Sequence, residues 1–244
     1  MIHPPNVLIL DYSVDRSEGP LFRRWLPDEC ESTTVFVYSR EDIPDTGVFT
    51  HVMHTGSSLS ICSDAEFYSK AERVILSCVE NGIPQMGVCY GHQLLCRVLV
   101  GPSSVRKCNN GLEAGWRNAV ITGTGLNIQG VRAISRVFQF HFDEVVVLPS
   151  GAEIIATSRH TGIQGFMDKA RRILSLQFHP EFSRKDGNHL FFKERRLLEE
   201  NGFDLATIQA DGPNIDAGRV FFSYFMSSFQ KSGEDQPYAS TFRD

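Results

Sequence analysis

The 244-residue chain has no run of 18 or more apolar residues, so no membrane-spanning helix is expected. Its first residues, Met1-Ile2-His3-Pro4-Pro5-Asn6, offer neither a basic n-region nor an apolar h-region, and no secretory leader is expected. No C-x-x-C pair occurs. The six cysteines (30, 62, 78, 89, 96 and 108) are scattered, which points away from a disulfide framework and towards free thiols in a reducing cytoplasm. An excess of positive charge is also missing. The formal net charge is −5, and the basic clusters Arg171-Arg172 and Lys193 to Arg196 are interleaved with or followed by acids, so they read as solvated faces rather than a nucleic-acid footprint. None of the eight histidines forms an i, i+4 pair on an expected helix, and His51 and His54 face opposite sides of a strand, so no metal site is expected. Gly123-Thr124-Gly125 lacks the third glycine and following helix of a dinucleotide loop, and no G-x-x-x-x-G-K-S/T occurs. No cofactor is expected, and the chain shows no means of activating an acceptor with ATP.

Hydrophobic residues at 41% and charged residues at 22% are ordinary for a globular protein, and the length suits one α/β unit. Strand-like runs at Val7 to Tyr12, Thr33 to Tyr38, Phe49 to His54 and Pro84 to Val88 alternate with helical ones. Glu18 to Leu26 reads as a short helix with Pro20 in its first turn. Ser63-Asp64-Ala65-Glu66 is a capping-box pattern. It precedes a helix carrying Phe67, Ala71, Val74, Ile75, Cys78 and Val79 on one face, and Asn81-Gly82 closes that helix. This order implies a parallel sheet covered by helices. Between Glu113 and Ser158 the character changes. Short runs (Trp116 to Ile121, Ile134 to Phe140, Glu153 to Ala156) alternate with Gly-rich turns and predict a small antiparallel extension before Arg171 to Phe178 returns to the main sheet.

The most informative segment is Gly87-Val88-Cys89-Tyr90-Gly91-His92-Gln93-Leu94-Leu95. Glycines stand two residues either side of one cysteine, after a strand-like run and before a helix-like one. This is a nucleophile-elbow pattern with cysteine in the place of serine. A sharp strand-to-helix turn favours flanking residues without a Cβ, and a helix N-terminus favours the thiolate of a cysteine placed there. A buried cysteine in an ordinary strand–helix junction would satisfy the same residues. Cys96, two turns further on, reads as core, as does Cys78.

A second segment, Gln177-Phe178-His179-Pro180-Glu181-Phe182, ends another strand-like run. His179 and Glu181 alternate onto the same side, and Pro180 keeps His179 extended and ends the pairing. An imidazole backed by a carboxylate is a base and its orienter. Alone, this could be a strand end entering a surface turn. Cysteine and histidine both leave strands at the carboxyl edge, where open α/β sheets carry their sites.

Together GVCYGHQ and QFHPEF resemble the class I (triad) glutamine amidotransferases, over roughly Val7 to Phe182. The resemblance implies a flavodoxin-like α/β fold, with a mostly parallel sheet flanked by helices. It carries Cys89, His179 and Glu181 onto nucleophile, base and orienting acid. Thr50 to Ser57 resembles the family's oxyanion strand, so the N–H groups of Gly56, Ser57 and Tyr90 are implied as the oxyanion hole. Phe140 to Val145, followed by Leu148-Pro149, resembles the loop that holds the glutamine backbone. His141, Phe142 and the elbow residue Gln93 are implied as substrate contacts. The His-Thr-Gly-Ser-Ser oxyanion loop departs from the commoner Gly-Gly-Pro type and resembles stand-alone members, γ-glutamyl peptidases among them.

Beyond Phe182 the chain reads as helical. Asn188 to Asn201 carries Leu190, Phe191, Leu197 and Leu198, with Gly202 after it. Pro213 to Gln230 carries Val220, Phe221, Tyr224, Phe225 and Phe229, an aromatic stripe for the sheet or for a docked partner. The expectation is one domain over 1–231, with a core at about 6–200, a helical extension at about 201–231, and a polar, flexible tail at 232–244. Three functions follow from the resemblance. The first is an amidotransferase that takes glutamine as small-molecule substrate and supplies ammonia to a synthase on a separate chain. The second is a γ-glutamyl peptidase. The third is a non-catalytic module that has kept the fold.

Overall fold

The computed structural model describes residues 4–39, 42–229 and 231; the tail at 232–244 lies outside them. The first half alternates strand and helix: β1 (Asn6–Asp11), α1 (Glu18–Arg23), β2 (Glu31–Phe36), β3 (His51–His54), α2 (Tyr68–Glu80), β4 (Gln85–Val88) and α3 (Tyr90–Val100). Seven strands follow: β5 (Val105–Lys107), β6 (Glu113–Ile121), β7 (Ile134–His141), β8 (Asp143–Val145), β9 (Glu153–Thr157), β10 (Gly165–Asp168) and β11 (Ile173–Leu176). Helices α4 (Arg184–Lys193), α5 (Arg195–Glu200), α6 (Leu205–Ala210) and α7 (Ala217–Ser228) close the described chain.

The main sheet has nine strands in the order β2-β1-β3-β4-β11-β10-β9-β6-β7. From β2 to β11 every pairing is parallel, and from β11 to β7 every pairing is antiparallel. The expected extension is therefore the second half of the same sheet. β5 and β8 make a separate antiparallel pair.

Strand β1 is apolar at nearly every position because both faces of the sheet are covered. Val7 and Ile9 join Met86, Val88, Leu174 and Leu176 against Phe221, Phe222 and Phe225 of α7. Leu8 and Leu10 face the other way, towards Ala71, Ile75 and Cys78 of α2 and Leu94 and Leu95 of α3. The aromatic stripe of α7 is thus core: Phe222 is fully buried and meets Phe22 of α1 edge-on at 5.3 Å. A third cluster, including Trp116, Phe138, Phe182, Phe191 and Leu198, ties the antiparallel half to α4 and α5.

Several local readings shift. Strand β2 begins two residues before Thr33 and ends in a 3-10 turn at Val37–Ser39. The Ser63 to Glu66 pattern does not cap α2, which starts at Tyr68 after Phe67 with no side-chain cap. Tertiary partners take that segment instead: Arg97 Nη2 binds Asp64 Oδ1 at 2.6 Å, and Asp143 Oδ2 accepts from Ser60 Oγ and the Ile61 N–H. A capping box forms at Ser183, where Ser183 and Asp186 open α4. The helix expected from Asn188 to Asn201 is two, parted at Glu194, whose φ of −96° and ψ of 19° leave helical geometry. Among the described residues no helix is long and apolar enough to cross a membrane.

Candidate active site

The carboxyl ends of β1, β3, β4 and β11 meet at one edge of the sheet. Cys89 follows β4 directly and is the N-cap of α3, with φ 50° and ψ −103°. A non-glycine residue so placed carries strain on the order of 1–3 kcal/mol, held in place by its surroundings. Here the Cys89 N–H donates to Leu176 O at 2.8 Å and the Gly91 N–H to Thr55 O at 3.0 Å, so the first turn of α3 is wedged between β11 and β3. The glycines are sterically required. A Cβ on Gly87 would stand 2.7 Å from Gly91 O, and one on Gly91 2.3 Å from His54 O. The thiol is buried, with Phe140 O 4.0 Å from Sγ.

His179 lies just past β11, where its N–H donates to Phe138 O at 3.0 Å. Its ring is clamped edge-on between Phe138 and Phe182, at 5.9 and 5.2 Å. Nδ1 meets Glu181 Oε1 at 2.5 Å, which leaves Nε2 as the ring nitrogen free to serve Cys89. Burial works against a charge on this imidazole, but the Glu181 carboxylate and the Cys89 sulfur outweigh it, and the proton affinity of His179 rises well above the usual histidine range. The Glu181 carbonyl accepts from Trp25 Nε1 at 2.9 Å and from Arg24 Nη2, so the turn that follows α1 fixes the backbone behind the pair.

A cavity of about 360 Å³ opens over Cys89 and His179. Ser57, Gln93, His141 and Phe142 line it. Gly56 packs beneath the imidazole, where a Cβ would be 2.8 Å from His179 Cε1. The Ser57 hydroxyl donates to Tyr12 O at 2.9 Å and accepts from the Leu59 N–H, which fixes the loop after β3. The Tyr90 side chain turns away from the cavity into the core beside Tyr12 and Phe67, so any contribution of Tyr90 comes from its main chain. Gln93 Nε2 donates to Asp143 O and Gln177 Oε1 at 2.9 and 3.1 Å. Both ring nitrogens of His141 are engaged within the protein, with Asp143 O at 3.0 Å and Glu113 Oε2 at 2.9 Å. Gln93 and His141 therefore shape the wall and hold the loop at Asp143, while Phe142, 37% exposed, presents an apolar face to the cavity.

No sequence pattern points to Asp143 or Glu18 as members of the site. Asp143 joins the loop at Ser60 to the loop at His141 and pairs with Lys107 at 3.3 Å. Glu18, in the first turn of α1, reaches the His179–Glu181 pair, and the three groups have ligand-type atoms within 4.8 Å of one another. This is where a cation could be held among the described residues, yet His179 Nδ1 and Glu181 Oε1 are already committed to each other. All six cysteines are free.

Sheet order, strained elbow and buried Cys–His–Glu array define a flavodoxin-like α/β domain with a cysteine at the strand-to-helix turn after β4. The family model for glutamine amidotransferase class-I matches residues 62–197. One of the subunits of the glutamine-hydrolyzing GMP synthase of Sulfolobus acidocaldarius is 30% identical over 145 residues, which cover 59% of this chain and 74% of that protein. The GMP synthase (glutamine-hydrolyzing) of Staphylococcus aureus is 38% identical over 124 residues, but these are 50% of this chain and only 23% of that protein. In fold the chain is similar to a glutamine amidotransferase from Thermotoga maritima (TM-score 0.73, 23% identity, covering 86% of this chain and 90% of that one). It is also similar to a glutamine amido transferase from Methylobacillus flagellatus (TM-score 0.73, 19% identity, covering 98% and 100%). The chain belongs to the class-I glutamine amidotransferase family.

Proposed function

We propose that this protein is a cysteine hydrolase that cleaves the side-chain amide of glutamine, with Cys89, His179 and Glu181 as its catalytic triad. The observation that carries the reading is the buried Cys89–His179–Glu181 array at the mouth of the cavity. The raised proton affinity of His179 favours a thiolate–imidazolium pair. The thiolate attacks the amide carbon, and charge develops on the carbonyl oxygen. The main-chain N–H groups of Gly56, Ser57 and Tyr90 are the proposed donors to it. His179 then gives its proton to the leaving nitrogen, ammonia departs, and a γ-glutamyl thioester remains on Cys89. In the second half His179 takes a proton from water, which attacks the thioester and releases glutamate. Glu181 keeps the imidazole in the tautomer that both halves need. Phe142, Gln93 and the loop around His141 form the proposed glutamine pocket.

The names of the relatives support an acceptor in trans: the Sulfolobus protein is one of the subunits of a GMP synthase, and the Staphylococcus enzyme is several times the aligned length. Ammonia would pass to a separate synthase chain. The free thiols support a cytoplasmic setting, and the shared sheet and cores support one domain over 1–231. One observation favours a second reading, γ-glutamyl peptide cleavage. The cavity continues past Ser57 and Ser58 to Leu190 and Lys193 in the last turn of α4 and Leu197 of α5, which leaves room for a leaving group larger than ammonia. Glutamate release from glutamine and from γ-glutamyl dipeptides, assayed side by side, separates the two. Turnover of neither substrate, with no labelling of Cys89 by a glutamine-like electrophile, would mark a non-catalytic module.

A further inference from the structure

Glu18 is half-buried as a residue, but its Oε2 is shut off from solvent and receives no hydrogen bond. The same holds for Glu181 Oε2, while Glu181 Oε1 is committed to His179. The two carboxyl groups nevertheless face each other, with oxygens within 4.8 Å of one another. Two carboxylate groups this close, each with a buried oxygen that has no donor, repel unless a proton lies between them.

The surroundings supply no alternative. Glu18 faces His179 and Glu181 from the segment after β11, and Asp11 from the end of β1. Asp11 adds negative charge, and its carboxylate is already taken by the Ser13 and Gly19 N–H groups at 2.8 Å each. From α4, Lys185, Asp186, His189 and Lys193 line the adjoining cavity. Lys193 is bonded to Asp15 at 3.1 Å and Asp186 to Arg24 at 2.6 Å.

We propose that Glu18 is a positioning residue for the triad: its carboxyl shares one proton with Glu181, holding Glu181 Oε1 on His179 Nδ1, and loss of that proton opens the array at alkaline pH. The inference rests on the functional reading above only for its kinetic consequence. Burial first, then the charge of Glu181, push the Glu18 carboxyl up to about 8, so the proton stays in place at neutral pH.

The test is carbon NMR of the full chain labelled at the glutamate side-chain carboxyls, titrated from pH 5 to 10, with Glu18→Gln beside the wild type. Glutamine can still donate to Glu181 but cannot ionise. One carboxyl resonance is expected to titrate near pH 8 in the wild type and to be missing from Glu18→Gln. In kinetics, the alkaline limb of kcat/KM for glutamine should move up by at least about one pH unit in Glu18→Gln, whereas Glu18→Ala should lose rate at every pH. The proposal is overturned if every glutamate carboxyl titrates in the ordinary range, or if the high resonance survives Glu18→Gln. Should the resonance behave as expected while glutamine is not hydrolysed, the shared proton stands and the functional reading falls. Glu18→Gln preserves shape, so the test does not depend on Glu18→Ala folding.

Discussion

The α carbon of Gly91 lies so close to the carbonyl of His54 that a Cβ there would stand 2.3 Å from the oxygen. The contact presses α3 onto the end of β3 and fixes Cys89 in its strained conformation. His54 O is main chain, so nothing there can swing aside. Gly91→Ala is expected to cost about 1–3 kcal/mol or more and to slow labelling of Cys89 by glutamine-like electrophiles. Urea midpoints with labelling rates check this; an unchanged midpoint with full labelling would show that the elbow tolerates a Cβ.

In the proposed mechanism His179 transfers the proton and Glu181 orients the imidazole, so their substitutions should differ. His179→Ala is expected to lower kcat on the order of 10²–10⁴-fold, and Glu181→Gln by less. Single-turnover thioester formation on Cys89 measures both, and a larger loss at Glu181 would reverse the roles.

Helix α7 touches the site through Trp25. A Cβ on Gly218 would fall 2.2 Å from Trp25 Cε2, and the Trp25 indole N–H holds Glu181 O. Gly218→Ala should therefore displace the indole and lower kcat with little change in KM, although α7 has no residue in the cavity lining. A KM effect alone would break this link.

Three histidines sit buried and uncharged. Burial pulls His51 and His54 down to about 4 and His92 to about 3. His54 Nε2 faces Gln85 Oε1, whose amide nitrogen donates to Ile75 O, so Nε2 carries the proton and Nδ1 accepts from the Tyr12 hydroxyl. Their folded values lie below the unfolded value near 6.5. As pH falls from there, only the unfolded chain takes up protons, and stability drops until the folded values are reached. Between pH 6.5 and 5, above most carboxylate titration, the loss should be about 1–2 kcal/mol per histidine. Urea unfolding of Glu18→Gln at pH 7 and 5, which removes the opposing pH dependence of the Glu18 carboxyl, reads it; equal midpoints there would mean that these rings are charged in the folded protein.

What could be read from the residues was what short range decides. The elbow fixes its own glycines, and His-Pro-Glu fixes its own alternation, so the candidate triad was visible as two local patterns. The apolar strands announced a sheet covered on both sides. What stayed hidden depends on partners far along the chain. The Ser63 to Glu66 pattern is locally sound, but Asp64 goes to Arg97 and the preceding turn to Asp143, 33 and 82 residues away. Glu18 has no spacing that links it to Glu181; only the parallel order β1-β3-β4-β11 brings their loops to one edge. The resemblance implies His141 as a substrate contact; the fold places it in the cavity wall and adds what no local pattern carries, that both its nitrogens are engaged within the protein.

The central claim is tested most directly by glutamate release from glutamine by the purified chain, with Cys89→Ala as control and γ-glutamyl dipeptides in parallel. The account predicts turnover by the wild type, none by Cys89→Ala at an unchanged melting temperature, and a trapped γ-glutamyl adduct on Cys89 alone. Glutamate release that persists in Cys89→Ala would contradict it.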